Sequence, residues 1–208
     1  MSIVMKIKQV QKVFEQLEQE MGQHQQRTGL YCLSNCGQCC STPNVEATVL
    51  EFMPFAFDLF LQRQTAPFLE RLEQAKTSAS ATCILFNALS TATNAPNYIT
   101  GRCSQYQYRG LICRLFGHAT VRDKLGIKRL TTCKPLKATG AESMETLNDP
   151  EIVNAAPNFG NYYQQLVKID FRLGQERLPI NQALRKAIEE VEFYYQYRPF
   201  PYRHRRSA

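Results

Sequence analysis

Eight cysteines fall between residues 32 and 133 of this 208-residue chain, and the rest of the sequence has none. The first four are packed as Cys32-x3-Cys36-x2-Cys39-Cys40, and Cys83, Cys103, Cys113 and Cys133 follow at wider intervals. Thiols used only as small apolar core residues would scatter along the chain, whereas crowding of this kind calls for something that binds several sulfurs at once. All eight are therefore candidate metal ligands.

A disulfide framework is the competing reading, since eight is an even number and small secreted domains are dense in cysteine. The opening MSIVMKIKQVQKVFEQLEQEMG lacks the uninterrupted apolar core and small-residue cleavage site of a secretory signal. Nowhere do eighteen apolar residues run together, so no membrane span is expected. The expected setting is the reducing cytoplasm, where clustered thiols are more often ligands or catalysts than disulfides.

Charge is concentrated in the same region. Residues 101–137 hold nine Arg and Lys against Asp123 alone, more than the whole formal charge of +7. Nucleic-acid binding is the usual first reading of such a stretch. Charge compensation competes well with it, because ligand cysteines bind as thiolates, and eight thiolates holding two divalent ions would carry roughly −4. No known finger spacing is present, which disfavours a nucleic-acid module.

The expected architecture is a single domain, mainly α, with an irregular cysteine-rich metal-binding centre and one small β-hairpin. Ile3, Ile7, Val10, Phe14, Leu17 and Met21 form one apolar stripe, predicting a helix over residues 3–26. The cysteine region spans 30–135. Within it, Thr48-x-x-Glu51 has the capping-box pattern before a helix that Pro54 should kink or delay, and Pro67 opens another. Residues 77–98 read as a loop interrupted by CILF, and residues 118–132 as a hairpin turning at Lys124 to Gly126 and ending at Cys133. Helices return over 136–197, with Leu184, Ile188, Val191 and Tyr195 on one face, before a mobile basic tail over 198–208.

Adjacent residues project in different directions, so Cys39 and Cys40 are expected to face two separate sites or to border one multinuclear cluster. Two zinc sites of four thiolates each would use all eight cysteines. An iron-sulfur cluster on four of them, with the others free for another metal or redox work, is equally compatible with the spacing. The Cys32-x3-Cys36-x2-Cys39 triplet also matches the spacing of radical S-adenosylmethionine enzymes. Those carry it on a barrel of alternating strands and helices, a pattern missing here.

The segments CLSNCGQCC and CSQYQYRGLICRLFG resemble the CxxCxxCC, or YkgJ-like, family. The residues that carry the resemblance are Cys32, Cys36, Gly37, Cys39 and Cys40, then Cys103, Tyr108, Arg109, Cys113, Arg114 and Phe116. It spans roughly residues 30–135. Two departures are the extra residue between Cys32 and Cys36, and Gly110 where the family usually has proline, which is expected to loosen that turn. The resemblance implies chelation of zinc or iron. A related cysteine cluster occurs in flagellin lysine N-methylase, which implies S-adenosylmethionine-dependent methyl transfer as an activity by analogy alone.

Of the histidines, His118 stands closest to a cysteine and is expected to play an ordinary polar role. Tyr106 and Tyr108 are expected to pack beside the cluster, and Arg109 and Arg114 to serve thiolate sulfur or an anion. Two functional classes follow: a metal-chelating protein whose helices meet a protein partner, and an iron-sulfur or zinc enzyme of redox chemistry or methyl transfer. Sequence leaves the reaction, any small-molecule substrate and the catalytic residues open.

Overall fold

Helix α1 (Ile3–Thr28) starts where the Ser2 hydroxyl accepts the Met5 N–H. It ends at Gly29, whose left-handed φ of 66° lets its N–H reach the Gln25 carbonyl. All six residues of the predicted stripe are buried, and the same steps of three and four carry one turn further to His24, which is buried too. The computed structural model describes residues 1–42, 45–77, 82–89, 99–139 and 149–201.

The chain is mainly α, with small antiparallel ladders. Beyond α1 the scaffold consists of α2 (Met53–Leu61), α3 (Thr65–Thr77), α7 (Phe159–Ile169) and α9 (Ile180–Tyr195). Helix α9 lies along α2 and α7 along α1, and Phe52, Phe55, Leu166, Leu184 and Ile188 close the core between them. On the predicted face of α9, Leu184, Ile188 and Val191 are buried, and Tyr195 stacks on Phe60 with ring centroids 5.0 Å apart. Proline delays α2 as expected: a 3-10 turn, Leu50–Phe52, comes first, and Pro54 then sits in the first turn of α2.

The run NYYQQLVKIDFRL does not make one helix. Asp170 is extended, with φ −151° and ψ 113°. It ends α7 and caps α8 (Phe171–Gln175) by accepting the Leu173 N–H at 2.9 Å. The same carboxylate pairs with Lys6 at 2.5 Å, tying this break to α1.

Among the described residues three two-stranded ladders stand where one hairpin was expected. The predicted hairpin is there, β4 (Thr120–Arg122) against β5 (Lys128–Leu130), turning where the Asp123 carboxylate accepts the Leu125 and Ile127 N–H groups. The other two join β1 (Glu46–Thr48) to β6 (Arg177–Pro179) and β2 (Phe86–Ala88) to β3 (Gly101–Cys103). Short helices complete the order: α4 (Leu111–Leu115), α5 (Lys134–Thr139) and α6 (Pro150–Ala155). Among the described residues no helix is long and apolar enough to cross a membrane. Much of the loop expected over 77–98, at 78–81 and 90–98, lies outside the described residues, as do residues 202–208 of the basic tail.

Candidate metal centre

Two glycines and a phenylalanine build the wall that carries the first thiols. The Gly37 N–H donates to the Ile99 carbonyl and the Gly101 N–H to the Asn35 carbonyl, both at 2.8 Å, so Cys36 pairs with Thr100. The Phe86 ring lies over this crossing. A Cβ added at Gly37 would stand 2.3 Å from it and one at Gly101 2.2 Å, closer than any side chain tolerates. The β2–β3 ladder sets Phe86 opposite Cys103. The turn before it, closed by the Phe86 N–H on the Cys83 carbonyl, places Cys83. Asn181 of α9 holds that turn, accepting the Ile84 N–H and donating to the Thr82 carbonyl, each at 2.9 Å.

Cys113 is carried by α4, and α4 is held by Glu51. This carboxylate is 1% exposed. Its Oε1 accepts the Thr48 N–H at 2.7 Å and the Thr48 hydroxyl at 2.9 Å, and its Oε2 accepts the Ile112 N–H at 3.0 Å. Half of the predicted capping box is thus realised, and the other carboxylate oxygen caps a second helix far away in sequence. Burial pushes the Glu51 carboxyl above its ordinary value, and these donors oppose the rise. Gly110, just before α4, has φ −64°. A Cβ there would come within 2.9 Å of both Glu51 Oε2 and the Phe52 ring. The glycine therefore serves a close approach.

Seven cysteines, Cys32, Cys36, Cys39, Cys40, Cys83, Cys103 and Cys113, line a single cavity of about 380 Å³. Cys133 is not among its lining residues; its sulfur lies against Gly117, 3.6 Å from where a Cβ would be. All eight are free thiols. The Cys39 and Cys40 sulfurs are 4.0 Å apart. Of the two expected arrangements, separate sites or the border of one cluster, this separation agrees with the second; both residues lie in the turn at Gln38–Cys40. Two thiolates of one tetrahedral zinc ion lie about 3.8 Å apart, given zinc–sulfur bonds of about 2.3 Å. The adjacent pair thus has the spacing of two ligands on one centre. Among the described residues no group of three or more His, Cys, Asp or Glu side chains is already gathered tightly enough to hold an ion.

Burial raises most of these thiols, Cys32 and Cys83 to about 11. Cys39 moves the other way: the Cys40 thiol donates to it, which lowers Cys39 and raises Cys40. The Arg109 guanidinium also lowers Cys39. Arg109 lines the cavity with Arg102, and its guanidinium stacks on the Tyr106 ring at 3.6 Å.

Several expected roles change. Arg114 does not face the thiols. It donates to the Arg109 and Gln107 carbonyls at 2.9 and 2.7 Å, pairs with Glu18 of α1 and lies over the Phe14 ring. It is a clamp between α4 and α1. Tyr106 does line the thiol cavity, though it is 63% exposed, whereas Tyr108 packs on Phe55 with centroids 5.3 Å apart and is not among the lining residues. Arg122, Lys124, Lys128 and Arg129 belong to the β4–β5 hairpin and do not line the cavity, so much of the basic charge is not thiolate compensation. His118, expected to be ordinarily polar, is buried with its Nε2 3.5 Å from the Cys32 sulfur. Sequence reasoning passed over Glu51 as more than a helix cap, and over His24, although the α1 stripe points to His24.

Compared with known proteins, the chain matches no family model, no curated protein and no solved structure.

Proposed function

We propose that the protein chelates zinc or iron, as ions or as an iron-sulfur cluster, through its cysteine centre, and that it belongs with the YkgJ-like chelating proteins it resembles. The observation that carries this reading is the convergence on one cavity of the four thiols of residues 32–40 and three distant ones, Cys83, Cys103 and Cys113, with two arginines in its wall. Thiolates are soft donors suited to zinc and to iron-sulfur clusters, and Arg102 and Arg109 suit the negative charge that such a centre acquires. Free thiols at every position agree with a reducing, cytoplasmic setting. A metal supplies folding energy at such a centre, because ligands far apart in sequence close around it.

The second reading is an enzyme of redox chemistry or S-adenosylmethionine-dependent methyl transfer. It is favoured by one feature: the cavity is walled by Phe52, Leu85, Phe86, Ile112, Phe116 and Ile180 as well as by thiols. An apolar pocket beside a metal offers room for a substrate, which a closed structural site does not.

The test is metal and acid-labile sulfide per chain, measured on protein purified without oxygen and without an affinity tag. Zinc without sulfide places the protein among zinc chelators, and iron with matching sulfide makes it an iron-sulfur protein. Cys36→Ser and Cys39→Ser should each lose metal and melt at a lower temperature. Unchanged metal content in both variants overturns the reading.

A further inference from the structure

Two buried histidines have no use in the thiol cavity. His24 and His118 are 1% and 2% exposed. Both ring nitrogens of His24 and Nδ1 of His118 are buried without a hydrogen-bond partner. Buried polar groups in folded proteins are almost always paired, and leaving one unpaired costs about 1–3 kcal/mol. Three such nitrogens are left in want of a partner.

Two thiols stand at the same place. The Cys32 sulfur is 3.5 Å from His118 Nε2. With zinc–sulfur and zinc–nitrogen bonds of about 2.3 and 2.05 Å, a thiolate and an imidazole on one tetrahedral ion lie about 3.5 Å apart. Cys133, the cysteine that does not line the main cavity, rests on Gly117, the residue preceding His118. His24, near the end of α1, lies close enough to His118 for the two rings to act on one another's charge.

We propose that His24, Cys32, His118 and Cys133 form a second metal site, of mixed imidazole and thiolate ligands, beside the thiol cavity, whose lining gives up Cys32 to it. It takes a divalent first-row ion, zinc above all. Two thiolates and two neutral imidazoles around such an ion are neutral overall, which suits the two buried histidines better than four thiolates would. The other thiols, including the close Cys39–Cys40 pair, remain for the first centre.

The inference rests on the chelation reading, and cobalt titration separates the two. Metal-free, reduced full-length protein is titrated with Co²⁺ and followed by its ligand-field absorption. The wild type should bind one more ion per chain than His118→Phe or His24→Phe. That extra ion should give bands at shorter wavelength than an all-thiolate site. Affinity for the ion should fall by at least about 100-fold, more than removal of an outer hydrogen bond. His118→Cys should keep the ion and strengthen the sulfur-to-cobalt charge-transfer band. Metal-free His118→Phe should melt no lower than the metal-free wild type, because it removes an unpaired polar atom. A wild type that takes up no cobalt overturns chelation and this site together. A wild type that binds cobalt, with both Phe variants matching it in ion count and spectrum, overturns the mixed site alone.

Discussion

Replacing Glu51 tests whether a single buried carboxylate joins the scaffold to the cysteine centre. In Glu51→Ala the Thr48 N–H and the Ile112 N–H both lose their acceptor inside the protein. At about 1–3 kcal/mol for each stranded donor, with a further penalty for the space left, the loss should be about 3–6 kcal/mol. That is a large part of the 5–15 kcal/mol typical of a domain. Glu51→Gln keeps one acceptor oxygen and turns an NH₂ group on the remaining donors, so it should cost about 1–3 kcal/mol, near half as much. Urea denaturation followed by circular dichroism measures both, provided the slope with urea stays constant. The sign of the pH effect follows from burial, which raises the carboxyl above its ordinary value of 4.5 in the folded state. The proton is held more tightly when the chain is folded. Its contribution to stability is complete below 4.5 and fades as pH rises through the raised value. The gap between wild type and Glu51→Gln should therefore be widest at acid pH. A Glu51→Ala variant within about 1 kcal/mol of wild type, less than the cost of one stranded donor, would refute the argument.

Arg114→Ala should cost about 2–4 kcal/mol in a thermal melt, because two backbone carbonyls and Glu18 lose their donor together; a change below about 0.5 kcal/mol would show that the clamp is idle. Gly101→Ala should destabilise by at least about 1–3 kcal/mol through collision with Phe86, and Phe86→Leu in the same chain should recover part of that loss. In metal-free reduced protein at neutral pH, iodoacetamide should modify Cys39 first, since its thiol is the one pushed down. Exposure alone would rank Cys32 first, so mass spectrometry that finds Cys32 ahead of Cys39 contradicts the thiol ordering.

The parts legible in the sequence were those governed by near neighbours. The α1 stripe, the late start of α2 behind Pro54 and the β4–β5 turn each depend on residues a few positions apart. The β1–β6 ladder was not legible, because three-residue strands carry too little alternation to announce themselves and their partners stand far apart in the chain. The cysteines could be collected as candidates from crowding, yet the separate place of Cys133 depends on how the Gly117–His118 turn meets α5. Arg114 was misread because a cation next to a cysteine suggests the sulfur, whereas its side chain points to α1 and to the backbone of the preceding turn. His24 sat in plain view on the stripe, and a histidine among leucines and valines reads as the stripe's end until its burial is seen.

The wall residue Ile180 and the hold of Asn181 on the Cys83 turn have a consequence for synthesis. The last cysteine leaves the ribosome well before α9, which ends at Tyr195. At about 5–20 residues per second, the roughly 60 residues between them take on the order of 3–12 s. For that interval every thiol has been made, and the helix that pins the Cys83 turn has not. A nascent chain is then a set of uncovered sulfurs open to oxidants or to whatever ion is at hand. How fast the C-terminal helix arrives can thus decide which metal, if any, is enclosed.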